Sequence, residues 1–427
     1  MRLRIEKAIY GGAGLARHED KAIFVPFTLP GEEVDAHVTQ DKGSYATAEL
    51  DAVAEASAAR VAPACPHFGA CGGCHYQHAD YATQVAMKAA TLREALERAR
   101  IREIPEITTA TGEPLGYRNR IRLHVRANPF GLCYKLRNSH EDLPIRECPI
   151  AAPMLEKAIQ VVIRERGSLG LGDWVQGIEF FSDAEGATLL VSLWTKHGAR
   201  EAERRLGVLW PRLRQIVPQA SGAAVFSVED RRAPSKRLAI TGGESLRWRS
   251  AGREYRVSLG SFFQVNRFLV EPLVRLVTEG EHGRAAWDLY AGVGLFSVPL
   301  AAQFGEVTAV ESAGGPVRDL RENLRGTNHR VVASETVKFL RRAVEQQVAA
   351  PDLVVVDPPR AGLGRDVTAT LGKLRPLRIT YVSCDPATLS RDLAALLESG
   401  YRLRKLHLVD LFPQTFHLES VTRLTLD

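Results

Sequence analysis

From residue 285 onward, short β-rich runs alternate with helical intervals, and this rhythm limits the possible folds more than any other feature of the chain. The runs are Ala285 to Tyr290, Glu306 to Val310, Arg330 to Ala333, Asp352 to Val356, Arg378 to Ser383 and Tyr401 to Leu411, with a last one at His417 to Leu426. Strands separated by helices predict an α/β domain with a parallel sheet covered on both faces. Sheets of this kind bind ligands at the carboxyl ends of their strands, so the residues that stop each run are the candidates for chemistry.

Four of those ends carry reactive or acidic groups. The run Ile379-Thr380-Tyr381-Val382-Ser383 stops at Cys384-Asp385-Pro386, where the proline forbids further strand. A lone thiol is more often a small buried hydrophobe than a nucleophile, so Cys384 needs company before it means anything. Asp357-Pro358-Pro359-Arg360 ends another run and aims an acid at the same edge. Asp288-Leu289-Tyr290-Ala291-Gly292-Val293-Gly294 ends the first, with glycines that permit a tight turn and close approach of a ligand. Glu311 closes the next strand, where an acceptor for ribose hydroxyls is expected. The third glycine of a dinucleotide fingerprint is missing, which favours a nucleoside ligand without pyrophosphate; S-adenosylmethionine fits. Near the C-terminus, Glu419 lies in an apolar setting, where a carboxylate either forms a salt bridge or acts as a proton acceptor of raised pKa.

Ahead of this domain the texture changes. At 427 residues the chain has room for two or three domains, at roughly 100–200 residues each. Residues 1–53 read as short strands (Leu3 to Ile9, Ala22 to Val25, Val34 to Thr39, Ala46 to Val53) parted by glycine and proline turns, the pattern of a small five-stranded OB-like barrel. This stretch carries six Lys/Arg against nine Asp/Glu, so nucleic-acid binding there would have to be local. Residues 54–258 mix strands and helices in an α+β manner, including an amphipathic packing helix from Tyr81 to Arg100. Within them, 117–138 hold six basic residues and no acid, and Arg118, Arg120 and Arg122 alternate with Asn119, Ile121 and Leu123. A strand there puts the three guanidiniums on one face, either as a simple solvated face or as a track for RNA phosphate.

Six cysteines are too few for a disulfide scaffold. Cys65, Cys71 and Cys74 cluster among glycines, and Cys148, followed by proline, is the natural fourth ligand. Zinc more often uses two matched Cys-x-x-Cys pairs, whereas three clustered thiols and a remote fourth resemble an iron–sulfur pattern. Zinc and inert thiols are the alternatives, and His67, His75 and His78 are reserve ligands. Without an apolar leader or a run long enough to span a bilayer, the chain reads as cytoplasmic.

Taken together, these blocks resemble the iron–sulfur-containing RNA uridine-5-methyltransferases. The resemblance rests on Cys65, Cys71, Cys74 and Cys148, on Ser261-Phe262-Phe263-Gln264-Val265-Asn266, on Asp288 to Gly294 and on Asp357 to Leu363. It continues through Val382 to Leu389 and Phe412 to Val421. Residues 1–53 look like the TRAM domain at the front of such enzymes, and Ala291 departs from versions that carry cysteine in the glycine turn. The resemblance implies three domains: a TRAM or OB-like barrel (1–53), a central α+β domain holding a [4Fe-4S] cluster (54–258) and a Rossmann-like class I methyltransferase domain (259–427). It implies Cys384 as nucleophile towards uracil C6 and Glu419 as the base that removes the C5 proton. S-adenosylmethionine would be held by Gln264, Tyr290, Gly292, Gly294, Glu311 and Asp357, with Arg118, Arg120 and Arg122 on RNA. The expected substrate is ribosomal RNA, with transfer RNA as the alternative, and the expected state is a monomer. A non-catalytic RNA-binding protein has no need of a paired nucleophile and base. A cytosine-5 enzyme would place a second cysteine where Asp357-Pro358-Pro359 stands.

Overall fold

The computed structural model describes residues 1–228, 235–327 and 329–427. Among them no helix is long and apolar enough to cross a membrane.

The first strands, Arg2–Arg4 and Lys7–Ala8, are nearly continuous. Arg2–Arg4 pairs with residues 33–35 and Lys7–Ala8 with Gly14 and Leu15. One stretch of chain thus pairs with both edges of the sheet and closes a barrel, removing its free edges. Inward positions Leu3, Ile5, Ile23, Val25, Val34 and Ala36 form its core. The barrel has six strands rather than the five expected. The additional one, Ala13–His18, has little β-branched character. Its Gly14 is required by space, because a Cβ there would stand 2.2 Å from Thr28 Oγ1.

The middle of the chain builds a seven-stranded sheet in the order Asp142–Pro144, Gly131–Lys135, Arg120–Arg126, Gly177–Ser182, Leu189–Thr195, Ala220–Ser227, Arg237–Gly242. The helices Pro153–Arg164 and Ala199–Ile216 pack on it through Leu155, Ile159, Leu206 and Leu213.

The C-terminal sheet has eight strands, ordered Arg330–Ala333, Phe304–Glu311, Gly283–Leu289, Leu353–Val356, Arg378–Ser383, Glu419–Leu426, Tyr401–Val409, Ile107–Ala110. The first five run parallel. Glu419–Leu426 is antiparallel to both neighbours, which corrects the expectation of a wholly parallel sheet. The connection 410–418 is too short for a helical crossover, so the chain has to turn back on itself. As a result Glu419 begins its strand at the edge where Arg378–Ser383 ends, with Ser383 opposite Ser420.

Two elements from the stretch 54–258 also belong to this sheet. Ile107–Ala110 pairs with Tyr401–Val409, and the helix Tyr81–Arg98 packs its Leu92 and Leu96 among Leu389, Leu393 and Leu396 of the helix Pro386–Glu398. Both of those leucines are fully buried, each worth about 1.5–3 kcal/mol relative to exposure. The same buried face carries two polar residues, Gln84 and Lys88, which an amphipathic pattern does not foresee.

Candidate active site

The predicted strand-end residues converge on one cavity of about 690 Å³, lined by Gln264, Tyr290, Gly292, Glu311, Asp357, Cys384 and Glu419 among others. A neighbouring cavity of about 500 Å³ shares Tyr290, Glu311 and Ser312 and continues over Ser334 and Thr336. The glycine turn takes left-handed backbone at three positions: Tyr290 (φ +65°), Gly292 (+56°) and Gly294 (+92°). At Tyr290, a bulky residue, this conformation is strained, and strain of this kind concentrates at ligand sites. The turn is pinned by Glu311, whose carboxylate accepts from the N–H of Gly292 at 3.0 Å and from Ser312 and Ala313 at 2.7 Å each. Held this way, Glu311 is a fixed carboxylate on the walls of both cavities. Gln264 is buried with its carbonyl held by Asn119 at 3.2 Å, and Phe262, 67 % exposed, stands at the cavity mouth.

Cys384 sits between the end of its strand and the cap of the next helix. Asp385 accepts from Ala387 N at 3.0 Å and Thr388 N at 2.9 Å, and Pro386 opens the helix, a capping arrangement worth about 1 kcal/mol. The thiol is therefore fixed by a strand on one side and a capped helix on the other. Burial, then the nearby Glu419 and Asp357 carboxylates, push it up to about 12. Burial and Asp357 raise Glu419 well above the carboxylate range, and burial with Asp288 raises Asp357 to about 7. Asp288 itself is fully buried beneath the turn and bonded to Ser297 Oγ, and burial lifts it to about 7. Its Oδ1 has no partner among the described residues. A thiol and carboxyls that titrate one another within a single enclosed space can perform nucleophilic addition and proton abstraction.

A family model for tRNA (uracil-5-)-methyltransferases matches residues 80–426, and a TRAM-domain model matches residues 1–50. The chain belongs to this methyltransferase family. It is 32 % identical to a protein of Salmonella choleraesuis named 23S rRNA (uracil(1939)-C(5))-methyltransferase RlmD, over 96 % of this chain and 92 % of that one. It is 34 % identical to the RlmD of Klebsiella pneumoniae, with the same coverage. Its fold matches the Pyrococcus abyssi tRNA (uracil-54, C5)-methyltransferase in complex with S-adenosyl-L-homocysteine, with a TM-score of 0.77, 25 % identity and 100 % of both chains covered.

Several groups around this methyltransferase site were not singled out by the sequence. The Arg360 guanidinium draws the Cys384 thiol downward, against the carboxylates, and its Nη2 lies 3.5 Å from His417 Nδ1. His417 is pushed down to about 4 by burial and by Arg360, which leaves a neutral imidazole on the cavity wall. Tyr10, from the N-terminal barrel, packs edge-on against Phe416 at 5.3 Å, and its phenol is raised by burial and by Asp385. Arg360 lies inside a motif already noted, but Tyr10 reaches the site only through the tertiary fold.

The three arginines do not form the single exposed row that their alternation predicts. Arg120 is turned inward: it donates to Ser261 O at 2.7 Å, stacks 3.8 Å from the Phe181 ring and lies 3.9 Å from Glu179. With its side chain 13 % exposed, it is a packing residue and is not open to phosphate. Arg122 is exposed and lies over Trp194 at 3.7 Å, and Arg118 lines a groove with Gly72, Gly73, Lys135 and His140.

Cys65, Cys71, Cys74 and Cys148 come together, close enough for Cys71, Cys74 and Cys148 each to feel the charge of others in the set. Burial raises Cys74 to about 12 and Cys148 to about 11. Polar donors already face the sulfurs: Gly73 N lies 3.4 Å from Cys71 Sγ and Tyr134 Oη 3.6 Å from Cys148 Sγ. Four converging thiols, two of them with a donor facing the sulfur, suit a thiolate-held cluster. Among the described residues, no three His, Cys, Asp or Glu side chains form a site for a single metal ion. The reserve histidines are engaged elsewhere. His67 Nε2 accepts from Arg146 N at 3.0 Å, His75 packs on Phe416 at 4.6 Å, and His78 packs against Phe27 and Phe68.

Proposed function

We propose that this chain is a cytoplasmic, monomeric enzyme that methylates C5 of a uridine in 23S ribosomal RNA. The observation that carries this reading is the placement of Cys384 beside Glu419 and Asp357 in a cavity continuous with the Glu311-pinned turn. Uracil C5 is a poor nucleophile. Addition of the Cys384 thiolate to C6 forms an S–C6 bond and pushes the ring electrons towards C5, which becomes enolate-like. S-adenosylmethionine, held by Gln264, Tyr290, Gly292, Gly294, Glu311 and Asp357, supplies the methyl group to C5. Glu419 then takes the C5 proton; the released pair re-forms the C5–C6 double bond and expels the thiolate. The base has to leave its stack to reach Cys384, which favours a single-stranded or looped RNA. Arg118 and Arg122 would meet its phosphates.

The ribosomal assignment follows the names of the sequence relatives, and the Pyrococcus fold match keeps transfer RNA as the second reading. Mapping 5-methyluridine in total RNA from a strain lacking this chain tests it. The expected result is loss at one position of 23S RNA with transfer RNA unchanged; loss in transfer RNA alone overturns the ribosomal assignment.

We also assign the four converging cysteines to a [4Fe-4S] cluster of structural role. Anaerobically purified protein is expected to carry about four irons per chain and broad visible charge-transfer absorption, both lost in Cys71→Ala. A colourless protein loaded with zinc overturns this.

A further inference from the structure

The connection 410–418 runs from Asp410, which meets the buried Lys88 ammonium at 2.5 Å, to the residue before Glu419. Four consecutive carbonyls in it are each taken by a different part of the chain. Leu411 O accepts from Asn266 Nδ2 at 3.2 Å, Phe412 O from Lys88 Nζ at 2.9 Å and Pro413 O from Tyr117 Oη at 3.1 Å. Gln414 O accepts from the main-chain N–H groups of His75 at 2.8 Å and Tyr76 at 3.0 Å, the residues directly after Cys74.

Gln414 is the most heavily engaged of these residues. It is 7 % exposed and holds φ of +68°, a conformation that a non-glycine residue keeps only when its surroundings impose it. The imposing partner is Gln84, fully buried on the helix Tyr81–Arg98. Gln84 Oε1 accepts from Gln414 N at 2.9 Å, while Gln84 Nε2 donates to Gln414 Oε1 at 3.0 Å and to Ala79 O at 2.9 Å. A surface turn between two antiparallel strands needs no such apparatus. The loop it restrains carries Phe412 and His417 on the cavity wall and leads directly into Glu419.

We propose that Gln414 is a positioning residue: with Gln84 and the cysteine loop, it latches the loop 410–418 so that the target base is held against Glu419. The inference rests on the reading of Glu419 as the C5 base. Cys384 is held separately, by its strand and the Asp385 cap, so loosening the latch leaves thiol addition and methyl transfer in place and slows the release step. A residue needed only for folding would depress both halves of the reaction together.

The test uses the full-length chain and the uridine RNA that the mapping identifies as substrate. In Gln84→Ala, kcat is expected to fall by roughly 10- to 100-fold, the scale of a small misplacement of a reacting group, with S-adenosylmethionine affinity unchanged. The decisive signature is a denaturant-stable enzyme–RNA adduct that accumulates during turnover and is absent from the wild type. Gln414→Gly accepts the positive φ without strain and loses only the side-chain contacts, so it decides the matter if Gln84→Ala does not fold. It should show the same signature with a smaller amplitude. Wild-type turnover without adduct in the folded variant, or reduced turnover without adduct, overturns the latch. Glu419→Gln run in parallel separates the two levels. Adduct with Glu419→Gln but not with the latch variants rejects the latch alone, and no adduct in any of them rejects the base assignment as well.

Discussion

Cys384→Ala is expected to lower 5-methyluridine formation by at least about 10⁴-fold, because the chemistry has no alternative way to make C5 nucleophilic. Fold and cofactor affinity should survive the change. The strand–helix junction is held by the Asp385 cap and the Ser383–Ser420 pairing. Equilibrium binding of S-adenosylmethionine and a melting curve serve as controls, and turnover is the readout. Serine at this position should do little better, since its alkoxide is far less accessible than a thiolate. A Cys384→Ala enzyme retaining a tenth of wild-type turnover would remove the thiol from the mechanism. In the free enzyme the thiol is raised by burial and by the facing carboxylates, so thiolate has to form within the assembled complex. Arg360, the cation that opposes this rise, therefore matters to the first step.

The second large effect is expected at Glu419. Glu419→Gln keeps the shape and removes the base, so turnover should drop by roughly 10²–10⁴-fold while addition and methyl transfer proceed. Methylated RNA should then remain attached to the protein, visible as a slow band after denaturation. The pH dependence follows from the direction of the shift. Burial and Asp357 raise the Glu419 carboxyl, so in acid it is protonated and cannot accept the C5 proton. Turnover should rise with pH as Glu419 ionises, and the adduct should persist longer at the acid end. In Glu419→Gln this dependence of the release step should vanish. A variant that releases its product at the wild-type rate would show that another group takes the proton.

Much of this site was legible in the sequence because a parallel sheet puts its chemistry at predictable places. The strands Phe304–Glu311, Leu353–Val356 and Arg378–Ser383 are short runs with β-branched residues and clear stops, and Gly283–Leu289 is marked by the glycine turn that follows it, so their order along the chain is enough to bring Asp288, Glu311, Asp357 and Cys384 to one edge. Glu419 was read from its motif, but its strand direction was not. Periodicity gives the faces of a strand and says nothing about its partner, and the length of the connection decides that Glu419–Leu426 runs antiparallel. Arg120 shows the same limit: alternation places Arg120 and Arg122 on one face, yet Phe181 and Ser261 cover the first and leave the second exposed. Ile107–Ala110 is not legible because, although three of its four residues are β-branched, it is too short for alternation to show and carries little apolar signal. Gln84, Lys88 and Tyr10 were invisible for a further reason. Their roles depend on partners more than 300 residues away in sequence, at Gln414, Asp410 and Phe416.

The most direct test of the mechanism uses RNA with 5-fluorouridine at the target position. Fluorine at C5 cannot leave as a cation, so after thiol addition and methylation Glu419 finds no proton to remove and the S–C6 bond persists. Wild-type protein with S-adenosylmethionine is expected to form a denaturant-stable adduct whose proteolytic fragment carries the nucleotide on Cys384. Cys384→Ala is expected to form none. A stable adduct of equal yield with Cys384→Ala, or one mapped to any other residue, would contradict the account.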